Sequence, residues 1–363
     1  MRDRWCISRF FYNRKETAMQ NLTAASRELF RRSPDECFES LDLLYQRCQA
    51  DKERSEDCWH WAGELRPVAI EGRLELEVGD KGAHRLNDWS FSQLCKIAGV
   101  SKDTLNKLRP ETAGQVLVET LPGGSKPTQV LSFDRTLRSI HGASYTRLHN
   151  LDLLNVVREF ATDFQPPQKS KFNNGTGLYC GEQDMFVFLI DPLGWAEING
   201  ETFAPGFFLW NSEVGRRSVG IQTFWFQAVC ANHIVWDAVE VVDFSRKHTA
   251  NVHDCLAEIR RHIEQLVEKR DQRRDGFAKV MTNAFKTQLG DKAEDVAKVL
   301  AKHGIPRDLG QRALKMAEQA GRFTVFTLVD ALTRIAGEYQ YAGDRTELDQ
   351  KASGLLALAA EGV

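Results

Sequence analysis

Met185-Phe186-Val187-Phe188-Leu189-Ile190 is an unbroken apolar run, and it restricts the fold more than any other stretch of the chain. It is far too short to cross a bilayer, which takes ~20 apolar residues. A half-exposed strand would alternate apolar with polar residues, so the run predicts a strand covered on both faces. Phe207-Phe208-Leu209-Trp210 reads the same way. In Val219 to Cys230 both alternating sets are mostly apolar: Val219, Ile221, Trp225 and Val229 on one side, Phe224, Phe226 and Cys230 on the other. A sheet with two apolar faces needs a layer on each.

The flanking sequence supplies helices. Ser33-Pro34-Asp35-Glu36 has the form of a helix start, with Ser as cap, Pro at the first position and Glu closing a capping box. Phe38, Leu41, Leu44 and Tyr45 then share one face. Leu74, Leu76 and Val78 alternate with Glu75 and Glu77, as in a half-buried strand. Phe91 to Ala98 and Lys102 to Leu108, separated by Gly99-Val100-Ser101, imitate a helix-turn-helix, although such pairs are also common packing units. Val116–Thr120 and Thr128–Phe133 flank Pro122-Gly123-Gly124-Ser125 and predict a hairpin. No G-K-[ST] follows those glycines, so they are not a phosphate loop and no cofactor is expected. Asn150 predicts the cap of a helix over Leu151 to Phe160.

From His248 onward helix dominates. Val252 to Phe285 reads as one long amphipathic helix with Ile259, Ile263 and Leu266 on a stripe. Shorter helices are expected at about 291–302, 307–319, 325–337 and 345–358. The expected fold is therefore α+β. An antiparallel-sheet core flanked by helices occupies 21–245, and a helical C-terminal region, 246–363, packs on it or mediates homo-oligomerisation. Residues 1–20 read as an N-terminal extension; Met19 is an alternative start, which would leave 1–18 untranslated.

The 48 basic and 50 acidic residues give a net charge of -2. That excludes wholesale electrostatic capture of duplex DNA or an anionic membrane and leaves room for local patches. The eight cysteines form no C-x-x-C pair, and a chain of 363 residues builds its core without staples. Reduced thiols in a cytoplasm are expected. Met1-Arg2-Asp3-Arg4-Trp5-Cys6 is basic, but no apolar stretch follows it as a secretory signal requires.

Four constellations could carry chemistry. Cys230, His233, His248, His253 and Cys255 are zinc-ligand types, but Cys230 shares a core-like strand with Trp225, and no metal is expected. Cys230 or Ser212 could act as a nucleophile activated by His233 or His248, though Ser212 sits in no G-x-S-x-G elbow. Glu182, Asp184 and Asp191 could pair as acid and base or hold Mg²⁺, yet they bracket a strand where charges ordinarily mark its exit to water. The fourth is nucleic-acid binding. Arg216 and Arg217 open a strand, Arg246 and Lys247 lie past the sheet, and the long helix carries Arg260, Arg261, Lys269, Arg270, Arg273 and Arg274. Such cations can track a phosphate backbone, and Tyr179 or Trp210 could stack bases. Glu258, Glu264, Glu268 and Asp271 are spaced to neutralise the helix cations at i,i+3 or i,i+4.

Several stretches form a recognisable set: Ser144-Tyr145, Gly177-Leu178-Tyr179, Asp184-Met185-Phe186-Val187-Phe188, Asn211-Ser212-Glu213-Val214-Gly215, Val229-Cys230-Ala231-Asn232-His233-Ile234-Val235-Trp236 and Ala331-Leu332-Thr333-Arg334. Over roughly residues 33–340 the chain resembles domain-of-unknown-function family 932, often titled phage/plasmid-like protein. The resemblance implies a setting in phages, plasmids or other mobile elements and brings no catalytic set with it. Relatives can place glycine where this chain has His233.

The leading functional expectation is an accessory protein of a mobile element that binds single-stranded DNA in replication or recombination. The alternatives are an interaction module that counters or decoys a host protein, and an enzyme using a Cys/His site around Cys230.

Overall fold

The computed structural model describes residues 32–167, 177–227 and 242–360. The chain is α+β and divides into two compact units, one spanning Glu53–Tyr145 and the other joining Pro34–Lys52 to Thr146–Val363. Strand β1 (Glu36–Cys37) opens the second unit, and helix α1 (Leu41–Arg54) runs on into the first.

In the first unit, β2 (Ser55–Trp61), β3 (Leu65–Ile70), β4 (Arg73–Val78) and β5 (Ala83–Leu86) precede α2 (Asp88–Ala98), α3 (Lys102–Leu105) and α4 (Pro110–Thr120). Strands β6 (Pro127–Phe133) and β7 (Thr136–Gly142) complete a sheet of order β2-β6-β7-β5-β4-β3. Leu74, Leu76 and Val78 are buried as the alternation predicts, against Phe91 and Leu94 of α2 and Leu117 of α4. Two expectations fail in this unit. Val116–Thr120 is helix, because Pro110 opens the helix and Ala113 and Leu117 bury one face at i,i+4 spacing. A five-residue window was too short to reveal that period. Ser101 does cap α3, its Oγ accepting from Thr104 N at 3.3 Å, but α3 is a single turn and too short to enter a groove.

In the second unit, α5 (Asn150–Phe160) is followed by β8 (Leu178–Cys180), β9 (Met185–Ile190), β10 (Ala196–Ile198), β11 (Glu201–Asn211), β12 (Val219–Gln227) and β13 (Asp243–Arg246). They form an antiparallel sheet of order β1-β8-β9-β11-β12-β13, with β10 on β11. The helices α6 (Cys255–Glu268), α7 (Arg270–Ala284), α8 (Ala293–Lys302), α9 (Arg307–Gln319), α10 (Val325–Ala336), α11 (Ala342–Ser353) and α12 (Ala357–Ala360) follow. Both faces of the central strands are covered, as their composition requires. Met185, Val187, Leu189, Phe207, Leu209, Val219 and Ile221 pack with Leu44 of α1, Leu153 of α5, and Ile259 and Ile263 of α6. The other alternating set, including Phe186, Phe188, Phe208, Phe224 and Phe226, forms an aromatic layer that meets Ala342 of α11. Trp225 stacks on Phe277 of α7, ring centroids 3.8 Å apart, and ties the sheet to the C-terminal helical core. The apolar stripe of α6 is thus spent within the chain.

Three local expectations are corrected here. The Ser33-Pro34-Asp35-Glu36 stretch does not start a helix. Its Asp35 Oδ2 instead accepts from Ala342 N at 3.1 Å, at the first turn of α11, and the helix begins only after Ser40. Val252–Phe285 is two helices broken at Lys269, which leaves the helical φ/ψ region. Asn150 is a helix residue and not the cap; the Glu213 carboxylate, brought from elsewhere in the chain, takes the cap's place, accepting from Asn150 N at 2.7 Å. Among the described residues no helix is long and apolar enough to cross a membrane.

Candidate nucleic-acid interface

The site lies where α11 crosses the aromatic layer of the second unit's sheet. Phe186 of β9 and Phe208 and Trp210 of β11 carry that layer to its edge, with Phe208 and Trp210 centroids 5.2 Å apart. Trp210 stands opposite Gly220 in the β11–β12 register. A Cβ on Gly220 would run into the Trp210 indole and lie 2.5 Å from Phe244 O, so only glycine lets the ring lie across the neighbouring strand.

Arg217 enters from the turn before β12. Residues 212–215 form that turn: Gly215 N donates to Ser212 O at 2.9 Å, and Gly215 has φ 72°, a conformation glycine adopts without strain. Arg217 Nη1 donates to Glu347 Oε1 of α11 at 2.9 Å, and its Nε lies 3.5 Å from Asp184 Oδ2. The guanidinium packs on Gly343, where a Cβ would lie 2.5 Å from Nη2. Burial works to lower the Arg217 pKa, but the Asp184 and Glu347 carboxylates outweigh it and hold the group above its ordinary value. Nη2 is packed on Gly343, without accessible surface, and has no hydrogen-bond partner among the described residues.

Phe186, Phe208, Trp210, Arg217, Glu347 and Gln350 line a cleft of about 320 Å³. That is the lower end of the ~300–1,000 Å³ range of small-molecule sites. Half-buried Trp210 supplies its accessible aromatic surface, over buried Phe186 and Phe208, and its rim is polar: the Arg217 guanidinium, the exposed Glu347 carboxylate, and the Gln350 amide, whose Nε2 donates to Gln222 Oε1 at 2.5 Å. Such an arrangement can stack a flat ring and hydrogen-bond its edge.

The structure sorts the sequence candidates. Arg216 and Lys247 are exposed, and the pairing of Val219 with Arg246 brings Arg246 and Lys247 beside the Arg216–Arg217 end of β12. Trp210 and Arg217 meet in the cleft. Tyr179 is partly buried: it meets Phe188 in a T-shaped contact, centroids 6.4 Å apart, and burial pushes its phenol pKa up. Its place opposite Phe186 in the register sets it at the margin of the aromatic layer, away from the Trp210 cleft lining. The helix arginines are drawn into ion pairs. Arg260 pairs with Glu264 and stacks on Phe160, Arg261 pairs with Glu258, and Arg274 pairs with Asp271. Arg270 pairs with buried Asp191, and Arg273 is itself buried. Arg260 and Arg261 keep more than half of their side-chain surface exposed. Asp184 and Asp191, at opposite ends of β9, are each matched by an arginine on another element.

The Asn211-Ser212-Glu213 motif is a buried polar knot. Asn211 Nδ2 donates to Leu148 O at 2.9 Å and to Asn150 Oδ1 at 2.8 Å. Ser212 Oγ donates to Gln183 O at 2.6 Å and accepts from Arg216 N at 2.9 Å, so the hydroxyl is committed to holding the Arg216–Arg217 turn. His248 is buried beside this knot, and burial lowers its pKa to about 4, the neighbouring Arg147 adding to the effect. Cys255 is in the apolar core, where burial pushes its thiol up to about 11. Cys230, Asn232, His233 and Trp236 lie outside the described residues.

Phe186 and Phe208 read in sequence only as strand core, and nothing in the sequence pointed to Gly343, Glu347 or Gln350, more than a hundred residues away. The pairing of a strand tryptophan with a strand glycine, Trp210 and Gly220, was the available signal. No curated protein and no solved structure matches the chain. The family described as Domain of unknown function (DUF932) matches residues 139–346. The match takes in the aromatic walls, the polar knot, Arg217 and Gly343, and ends one residue before Glu347. It spans more than half of the 363 residues, and on that ground the chain belongs to the DUF932 family.

Proposed function

We propose that this protein is an accessory factor of a phage, plasmid or other mobile element that binds single-stranded DNA in replication or recombination. The observation that supports the reading is one cleft in which the half-buried Trp210 adjoins the partly exposed Arg217, beside exposed Arg216. Base–aromatic stacking supplies ~1–3 kcal/mol per base without reading sequence. Arg216, Arg246 and Lys247 at the same end of the sheet contribute cations for the backbone.

The test is fluorescence anisotropy of the full chain with labelled single- and double-stranded DNA across a salt series. The reading expects single-strand preference, with log K falling against log salt by roughly 0.7 per phosphate neutralised. It also expects Trp210→Ala to weaken binding at least several-fold. Absence of binding at low salt removes it.

A second reading, an interaction module that counters or decoys a host protein, is favoured by Trp59 and Trp61. Both are 52% exposed and lie two residues apart on edge strand β2, where backbone groups are open for pairing. A stable complex recovered from nuclease-treated host extract, and lost in a Trp59→Ala/Trp61→Ala variant, would favour it.

A further inference from the structure

The geometry points to a copper(I) site in the core of the second unit, built from the sulfurs of Cys48, Cys180 and Met185. Three elements bring these side chains together. Cys48 lies on the buried face of α1, with Leu44. Cys180 ends β8 and stands opposite Met185, the first residue of β9, in the antiparallel register. Cys48 Sγ is 4.0 Å from Met185 Sδ, and the Cys48 and Cys180 thiols hydrogen-bond each other. With metal–sulfur bonds of ~2.3 Å, two ligands of a trigonal planar centre sit ~4.0 Å apart. The Cys48–Met185 spacing is that of such a centre, and an ion in the middle of the sulfur triangle needs no separate cavity.

The donor set selects the ion. Thiolates and thioethers are soft ligands that suit copper(I), whereas zinc takes four Cys or His ligands and hard cations take oxygen. Among the described residues no three His, Cys, Asp or Glu side chains gather into a metal-holding group, so nothing there completes a zinc tetrahedron. The shell is dry: Met185 is wholly buried, and Cys48 and Cys180 are 1% and 8% exposed. A supporting donor is also in place. Asn150 Nδ2 donates to Cys180 Sγ at 3.8 Å, while its Oδ1 accepts from Asn211 Nδ2 at 2.8 Å, which fixes the amide with its N–H toward the sulfur. A thiol packed only as a small hydrophobe calls for no such donor, and a metal-bound thiolate does.

In the metal-free chain the hydrogen bond to Cys180, and then burial, push the Cys48 thiol up, so it stays protonated at neutral pH. Loading breaks both S–H bonds, forms two copper–thiolate bonds and one copper–thioether bond, and releases two protons to solvent. Copper remains in the +1 state throughout, so no oxidant or reductant is consumed. The bound ion ties α1 to β8 and β9.

The experiment titrates the full, reduced chain under anaerobic conditions with the copper(I) complex of bathocuproine disulfonate, whose visible absorbance falls as protein takes the ion. Thiolate-to-copper absorption in the ultraviolet is followed in parallel. Cys48→Ala and Met185→Leu, the second close to volume-conserving, are compared after thermal unfolding confirms their fold. Wild type should remove one copper per chain and melt at a higher temperature when loaded. Cys48→Ala should lose this uptake. Met185→Leu should weaken it by roughly 10–100-fold, at least what the loss of an outer-shell partner costs a metal site. Equimolar zinc should not displace the copper. No uptake by wild type overturns the site, and so does equal uptake by Cys48→Ala, which would put the ion on other cysteines. Unchanged affinity in Met185→Leu overturns the three-sulfur assignment, and that variant decides alone if Cys48→Ala does not fold. Displacement by equimolar zinc overturns the choice of ion.

Discussion

Asp184, whose side chain is wholly buried, lies 3.5 Å from the Nε of Arg217, and the pair joins the start of β9 to the turn before β12. The same guanidinium reaches Glu347 on α11. One side chain thus serves as counter-ion to a buried carboxylate and as a wall of the cleft, and the two roles are separable by mutation.

Arg217→Ala should destabilise the protein by about 3 kcal/mol, the lower end of what breaking a buried ion pair costs. Arg217→Ala combined with Asp184→Asn should recover part of the loss, because no uncompensated charge then remains. Urea unfolding of both variants checks this. Equal stability of Arg217→Ala and wild type would show that Asp184 does not depend on Arg217.

Gly343→Ala addresses the second role. The new Cβ meets the end of a flexible side chain at 2.5 Å, so Arg217 moves and the fold does not. Alanine's advantage over glycine inside a helix, about 0.5–1 kcal/mol, offsets the contact. Stability should stay within about 1 kcal/mol of wild type, while single-strand affinity falls several-fold in anisotropy.

Gly220→Ala strikes the floor of the cleft. Its Cβ would meet a ring and a backbone carbonyl, neither of which can yield cheaply. Overpacking of this kind costs about 1–3 kcal/mol. Displacement of Trp210 should also shift the intrinsic fluorescence of the folded protein, a change that Gly343→Ala should not produce.

His248 should make the protein acid-sensitive. Its folded pKa, lowered to about 4 from an ordinary 6.5, means that the unfolded chain takes up the proton first. Stability from this group is complete above pH 6.5 and is lost as pH falls toward 4, by up to about 1.4 kcal/mol per pH unit. Unfolding free energies of wild type and His248→Gln between pH 7 and pH 4 should converge with that slope. Parallel curves would show that the imidazole is not buried neutral.

The α6 and α7 arginines should matter little to DNA. Arg260→Ala, Arg261→Ala and Arg274→Ala each break an exposed ion pair, of a kind worth ~0–1 kcal/mol. Each should change single-strand affinity less than twofold. A tenfold loss in the triple variant would move the phosphate path onto these helices.

The sequence by itself determined the central sheet. Six adjacent apolar residues at Met185–Ile190, and two apolar sets in β12, are short and rich in aromatic and β-branched residues, which favours strands covered on both faces, and the C-terminal helices follow from their own periodicity. Local chemistry misled wherever a polar group found a distant partner. Asp35 caps α11 instead of its own helix, and Glu213 caps α5 in place of Asn150, because a carboxylate satisfies whichever backbone N–H the tertiary fold brings to it. The Val116–Thr120 segment misleads for a different reason, since its helical period shows only when Pro110 and Ala113 are included. Which arginines are neutralised was half legible. Arg260 with Glu264 and Arg261 with Glu258 follow from i,i+4 and i,i+3 spacing, whereas Arg270 with Asp191 and Arg217 with Asp184 are long-range. The cleft belongs wholly to the tertiary structure. Its walls come from β9, β11 and the turn before β12, its rim from α11, and periodicity records which face of an element is apolar without recording which other element will cover it.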